Sequence, residues 1–214
     1  MALSVPLSRF PSRVGGGSAF YVRRQDSMTL YPPEIIGPLW GASELCLVFA
    51  RRSKSDAISK DRRSLGMIWL VTLSAIALGI VAAHRLHECK LPWPEQALEI
   101  GCGLFVLGLA LRWYSIIHLG RFFTTNVAIS KDHHLIDSGP YHFARHPSYT
   151  GSLLAVLGFT LSFTNWASLL IIFAPICAIT LWRIHIEEEA LIGALGERYL
   201  NYMQRTKRLI PLIY

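Results

Sequence analysis

Apolar residues in this chain gather into blocks of membrane-crossing length, separated by short polar stretches. The cleanest block is Leu65 to Ala83, nineteen residues without a charge. As a helix it covers about 28 Å, close to a bilayer hydrocarbon core of roughly 30 Å. Ile35 to Ala50 is apolar except for Glu44, and Ile100 to Leu119 contains a single cation, Arg112. Gly151 to Trp182 is 32 residues without a charge, too long for one straight crossing. Thr164-Asn165 should break it into two short arms of a helical hairpin, because backbone polar groups in lipid must be satisfied within the helix. Pro175 should kink the second arm. The pattern predicts an all-α integral membrane protein with about five transmembrane helices. It divides into an N-terminal arm (1–33), three membrane helices (34–119) and a C-terminal region (120–214) containing the hairpin, 148–190.

The composition agrees with this picture. Of 214 residues, 52% are hydrophobic and only 16% charged, outside the range of ordinary soluble domains. The net charge of +7 is distributed by topology. Loop 51–64 carries Arg51, Arg52, Lys54, Lys60, Arg62 and Arg63, whereas loop 84–95 carries only Arg85 and Lys90. The positive-inside rule places loop 51–64, segment 120–147 and the tail from Arg183 in the cytoplasm. Nucleic-acid binding is not needed to explain the charge, although the same faces would attract anionic headgroups of membrane lipids. Residues 1–33, rich in Ser, Gly and Arg, read as a flexible arm or an organellar transit sequence, with no secretory h-region. Four cysteines without a CxxC pair imply no disulfide framework.

Candidate chemistry gathers at the two ends of the hairpin block. Before it stands Arg145-His146-Pro147-Ser148-Tyr149-Thr150-Gly151; after it stands Glu187-Glu188-Glu189. Pro147 biases His146 toward extended backbone and suits the first turn of the following helix. A helix N-terminus flanked by Arg and His is an anion site, and the Arg145 fork suits a carboxylate or phosphate. The bland alternative is an interfacial turn, with Tyr149 at headgroup level and Arg145 on lipid phosphate. Three successive glutamates point in three directions, so at most two can line one pocket; one expectation places Glu187 or Glu188 against the Arg145 cluster. Arg183 and Glu187 stand four apart and can pair. Arg112 is expected to snorkel to the interface. His142 and His146 are also four apart, but Pro147 makes a helix through both unfavourable, so no metal is assigned. Tyr199, Tyr202 and Arg205 recur at helical spacing, as in an amphipathic helix folding back on the membrane.

Taken together, Leu119-Gly120, His133 with Leu135-Ile136, Gly139-Pro140-Tyr141, Arg145 through Tyr149 with Gly151, Glu187-Glu188 with Leu191, Gly196-Glu197 with Tyr199 and Tyr202, and Ile210-Pro211 resemble the isoprenylcysteine carboxyl methyltransferase family, in its short prokaryotic-type form. The Arg-His-Pro piece alone is shared with phospholipid methyltransferases and membrane sterol reductases. The resemblance implies S-adenosyl-L-methionine as cofactor, in a cytosolic pocket formed by segment 120–150, the hairpin and the C-terminal helix. It implies that His133, Leu135, Gly139, Tyr141, His146, Pro147, Tyr149, Glu187 and Glu188 line the cofactor site. By the same resemblance Arg145, Arg183 and Glu187 lie nearest the chemistry. The methyl acceptor would be a carboxylate or thiol of a lipophilic or prenylated substrate arriving from the bilayer. Alternative functions are amine N-methylation of a phospholipid, reduction of a sterol-like ring, or a non-enzymatic membrane role. One departure is Ala128, where eukaryotic members often carry Gln.

Overall fold

The computed structural model describes residues 32–50, 61–120 and 135–210. Residues 1–31 of the expected N-terminal arm, His133 and Ala128 fall outside them, while Pro32 and Pro33 begin the first helix. Six α-helices account for most of the described residues: α1 (Pro32–Ala50), α2 (Asp61–Arg85), α3 (Pro94–Leu119), α4 (Pro147–Leu161), α5 (Trp166–Leu195) and α6 (Glu197–Arg205). Among the described residues, three helices are long and apolar enough to cross a membrane, over Gly66–Arg85, Pro94–Leu119 and Trp166–Leu195. With 15 residues, α4 spans only about 22 Å.

The hairpin is more asymmetric than the sequence pattern predicts. Asn165 caps α5 by accepting from the Ser168 amide at 3.1 Å, as the break at Thr164-Asn165 requires. The second arm also extends past the expected end at 190. It runs 30 residues to Leu195, because nothing from Arg183 to Leu195 breaks a helix. Gly196, at φ +56°, then ends it and starts α6. Pro175 lies within α5, whose helical assignment is unbroken.

The helices α3 and α4 meet backbone to backbone. A Cβ on Gly108 would lie 2.3 Å from the Ala155 amide nitrogen, and one on Gly158 would lie 2.4 Å from the Gly101 carbonyl oxygen. Lipid offers no hydrophobic drive for helix association, so close packing of small residues supplies the contact. Around this seam Trp40, Phe105, Val156, Phe159, Ile172 and Ile176 form the core. Leu70, Leu73, Leu78 and Val81 of α2 remain exposed, as expected for a lipid-facing surface.

Both ends of the hairpin are fastened. At one end the Asn165 amide donates to the Leu86 carbonyl (2.8 Å), and Leu91 N donates to the Thr164 carbonyl (2.9 Å). At the other end α6 and the strand-like segment after it close over the start of α4. Arg112 departs from the snorkelling expectation. Its Nη2 reaches Glu44 Oε2 of α1 at 2.7 Å, so the guanidinium turns to a partner on a neighbouring helix instead of extending outward.

Gly151→Ala tests the tight seam, since the new methyl would sit 2.5 Å from the Arg112 amide nitrogen. We expect a loss of about 1–3 kcal/mol in stability, read as a lowered melting temperature in detergent. A melting temperature unchanged from wild type would show that α3 and α4 are not in backbone contact.

Candidate active site

Pro140 and Pro147 set the local geometry of the polar end. Gly139, at φ +58°, admits the turn that opens a 3-10 segment over Gly139–His142. The position suits glycine, because a side chain there would meet the His118 ring and a left-handed backbone together. His146 then caps α4 at φ −126°, and Pro147 occupies the first turn, where its missing N–H costs nothing.

The Arg145-His146 dipeptide is held by the C-terminal tail. Arg145 N donates to the Lys207 carbonyl (2.8 Å), and His146 N donates to the Arg208 carbonyl (2.9 Å). Through its side chain, Arg145 donates from Nη1 to the Met203 carbonyl (3.2 Å) and the Thr206 carbonyl. Thr150 adds a bond from Oγ1 to the Leu209 carbonyl at 2.9 Å.

All of these converge on Glu188. Oε1 accepts from Arg145 Nε at 2.8 Å and lies 3.3 Å from His146 Nε2. Oε2 accepts from Arg208 Nε and Nη2, each at 2.8 Å. The Glu188 side chain is 3% exposed, so the carboxylate is buried with both oxygens engaged. A charge in that position is tolerable only because it is paired and fully hydrogen-bonded.

Glu187 faces elsewhere. Its Oε2 accepts from the Tyr149 hydroxyl at 2.9 Å, and Arg183, 3% exposed, is a further hydrogen-bonding neighbour of that hydroxyl. Arg183 and Glu187 share one face of α5, as their spacing predicts. Glu189 points to solvent and pairs with His185 at 3.3 Å. The three glutamates thus take three directions, two of them inward.

A tyrosine shell closes this end. Tyr141 donates to the Ser115 carbonyl (3.3 Å), and Tyr202 donates to the Tyr141 carbonyl (2.5 Å). Burial pushes the Tyr141 phenol well above its usual range, with Glu187's negative charge adding to the effect. Tyr199 is 2% exposed, and its hydroxyl has no partner among the described residues. Burial, then the charge of Glu188, raises that phenol as well. A buried hydroxyl without a partner among the described residues, beside the carboxylates of Glu188 and Glu187 and the Arg145 guanidinium, is a vacant polar valence.

Of the residues named from sequence, Arg145, His146, Pro147, Tyr149, Arg183, Glu187, Glu188 and Tyr141 are brought to this end of the hairpin. Gly139 and Pro147 line a mainly apolar groove of about 360 Å³, with Leu111, Tyr114, Phe143 and Leu209. Leu135 is half-buried. His142 packs edge-on against Phe143 and is not directed at His146. Sequence reasoning missed Arg208. Its only signal was a cation near the chain's end, six residues after Tyr202, with nothing local to tie it to Glu188.

This arrangement matches known proteins over the same stretch. Residues 100–193 match the model of the isoprenylcysteine carboxyl methyltransferase family. The chain is 34% identical over 113 residues to the protein-S-isoprenylcysteine O-methyltransferase of Schizosaccharomyces pombe, covering 52% of this chain and 48% of that protein. It is 33% identical over 122 residues to protein-S-isoprenylcysteine O-methyltransferase B of Arabidopsis thaliana, covering 54% and 59%. The human protein of the same name is 33% identical over 137 residues, covering 56% and 45%. The chain therefore spans about half the length of these relatives. A solved structure of the eukaryotic intramembrane Ras methyltransferase ICMT superposes with a TM-score of 0.56 at 25% identity, over 86% of this chain and 70% of that one. The family match, 100–193, covers most of α3, all of α4 and most of α5, and so includes Tyr149, Arg183, Glu187 and Glu188.

Two outcomes follow from this geometry. Glu188→Ala leaves Arg145 and His146 buried without their acceptor, so a loss of about 3–5 kcal/mol is expected. Limited proteolysis should then cut the chain after Gly196 faster than in wild type. The second outcome concerns Tyr202, whose phenol burial pushes from 10.0 up to about 12. A raised phenol keeps the folded state neutral while the unfolded state ionises. Its contribution to stability is therefore intact below pH 10 and is lost as pH rises toward 12. Tyr202→Phe should flatten the alkaline fall in melting temperature across that window.

Proposed function

We propose that this chain is an S-adenosyl-L-methionine-dependent methyltransferase that esterifies a carboxylate on a lipophilic, isoprenylcysteine-like substrate. The observation that carries the reading is the inward face of Arg183 and Glu187 with Tyr149, next to the unpartnered Tyr199 hydroxyl. That set offers a guanidinium for an anion, a carboxylate for a cation and a spare hydroxyl, and so fits a ligand bearing both charges. Matches to relatives named as protein-S-isoprenylcysteine O-methyltransferases support the same class.

When bound, S-adenosyl-L-methionine supplies a methyl made electrophilic by its sulfonium. The acceptor carboxylate is ionised near neutral pH, with an ordinary pKa near 4, so no strong base is required of the protein. The work left to the chain is alignment and charge placement. In this reading Glu187 faces the cofactor's cationic groups, and Arg183 holds the acceptor carboxylate in a planar fork. Leu135, Gly139, Tyr141, His146, Pro147 and Tyr149 line the cofactor site, and His133 is a further candidate contact named from sequence. Glu188 and Arg145 act one step back. Both are committed to the tail, so Arg145 holds the fold of the site rather than presenting substrate.

The topology in this reading has α1 and α4 completing a five-helix membrane arrangement, with the polar end in the cytoplasm. In the same reading, residues 120–214 form the catalytic region. Methyl acceptors then enter laterally from the bilayer, while the cofactor arrives from water.

The test uses the full chain in detergent with labelled methyl donor and a farnesylated cysteine derivative. A base-labile methyl ester should form. Glu187→Gln and Arg183→Lys should each lower turnover on the order of a hundredfold or more while melting as wild type. No ester with prenylcysteine, or labelled phosphatidyl-amine in its place, would overturn the proposed acceptor. No binding of S-adenosylhomocysteine by calorimetry would overturn the methyltransferase reading itself.

A further inference from the structure

Arg112 and Glu44 form an ion pair well inside the helical bundle. Their side chains are 13% and 19% exposed. The neighbouring residues repeat the tie, with Trp113 Nε1 donating to Ser43 Oγ at 2.8 Å. Two adjacent residues of α1 are thus clasped to two adjacent residues of α3, which sets both rotation and register. As a source of stability the pair is poor. A buried ion pair roughly breaks even against an apolar pair of similar volume. Here Glu44 Oε1 and Arg112 Nε are in addition buried without partners among the described residues, each at a cost of about 1–3 kcal/mol.

The pair does have a positional consequence. Arg112 Nη1 donates to the Ser148 carbonyl at 3.4 Å. Ser148 lies in the first turn of α4, between Pro147 and Tyr149, and Tyr149 is the residue that donates to Glu187. The Arg112 backbone is also pressed against α4 at Gly151, where a Cβ would lie 2.5 Å from its amide nitrogen. One guanidinium therefore joins α1, α3 and the start of α4 at the turn that presents Tyr149.

We propose that the Glu44–Arg112 pair is a positioning element that sets the first turn of α4 and, through Tyr149, the Arg183–Glu187 face. Arg112 bonds the backbone next to the site residue, and Glu44 holds Arg112 in place. By this route α1, which lies outside the residues matched to the family, takes part in the site. The part concerning ligand affinity rests on the methyltransferase reading above; the part concerning α4 stands without it.

The test compares full-length variants in detergent by three measurements: melting temperature, hydrogen exchange of the amides at 149–152 without ligand, and affinity for S-adenosylhomocysteine. Glu44→Met with Arg112→Met removes both charges and leaves no polar group orphaned, so it should melt at or above wild type. Exchange at 149–152 should nevertheless accelerate on the order of tenfold, with affinity weakened to a similar degree. Arg112→Lys, which keeps a charge and a donor, should recover most of both. Wild-type exchange and affinity in a folded double variant would overturn the proposal. So would a double variant that no longer melts cooperatively, because the pair would then be structural. Should the wild-type chain bind no S-adenosylhomocysteine, the methyltransferase reading fails, while the exchange measurement still decides the role of the pair.

Discussion

Everything at the polar end of this protein depends on one buried carboxylate. Glu188 lies near the end of α5, accepts from Arg145 and Arg208, and has His146 against the same oxygen as Arg145. Three segments that are distant in sequence therefore share one negative charge. Remove it and two guanidiniums repel across a space from which water is largely excluded, where such repulsion is weakly screened. Keep it and the tail is drawn across the start of α4, where two backbone bonds to Lys207 and Arg208 complete the closure. The adjacent Glu187 is left to face Tyr149 and Arg183. Two neighbouring acids thus differ in their partners, one tying the tail to the start of α4 and the other facing Tyr149 and Arg183.

That knot is useful only because the helices beneath it are rigid. The glycine seam between α3 and α4 brings two backbones into contact, and the Asn165 cap with its bond to Leu86 fastens the opposite end of the hairpin. A site assembled from the start of α4, the end of α5 and the tail needs such a frame, since small tilts would be magnified at the helix ends. Apolar surface on α2 faces outward, so the frame comes from close packing and internal polar ties rather than from a core sealed from water.

Much of the site was legible from the chain alone, and the reasons differ by residue. Pro147 after His146 announces a bend before a helix, and the structure has His146 as the cap and Pro147 in the first turn. The run Glu187-Glu188-Glu189 must fan out around a helix, and it does. Arg112 and Arg145 were harder. A lone arginine in an apolar block reads as a snorkelling side chain until Glu44 of α1 is known to lie opposite it. An exposed-looking Arg145 reads as a ligand clamp until the tail is seen to occupy it. Arg208 carried no local signal, because its meaning comes entirely from a residue twenty positions earlier.

The sequence by itself determined the helical membrane character, the break at Thr164-Asn165 and the two polar clusters that flank the hairpin. These follow from local rules: apolar block length, backbone satisfaction in lipid, and the geometry of proline and a capping asparagine. Only the tertiary structure decided which charge faces which, that α5 runs to Leu195, and that the tail rather than a substrate holds Arg145. The physical reason is range. Helix formation is settled within a few residues of sequence, whereas a buried charge takes its role from whichever opposite charge the packing brings within about 3 Å.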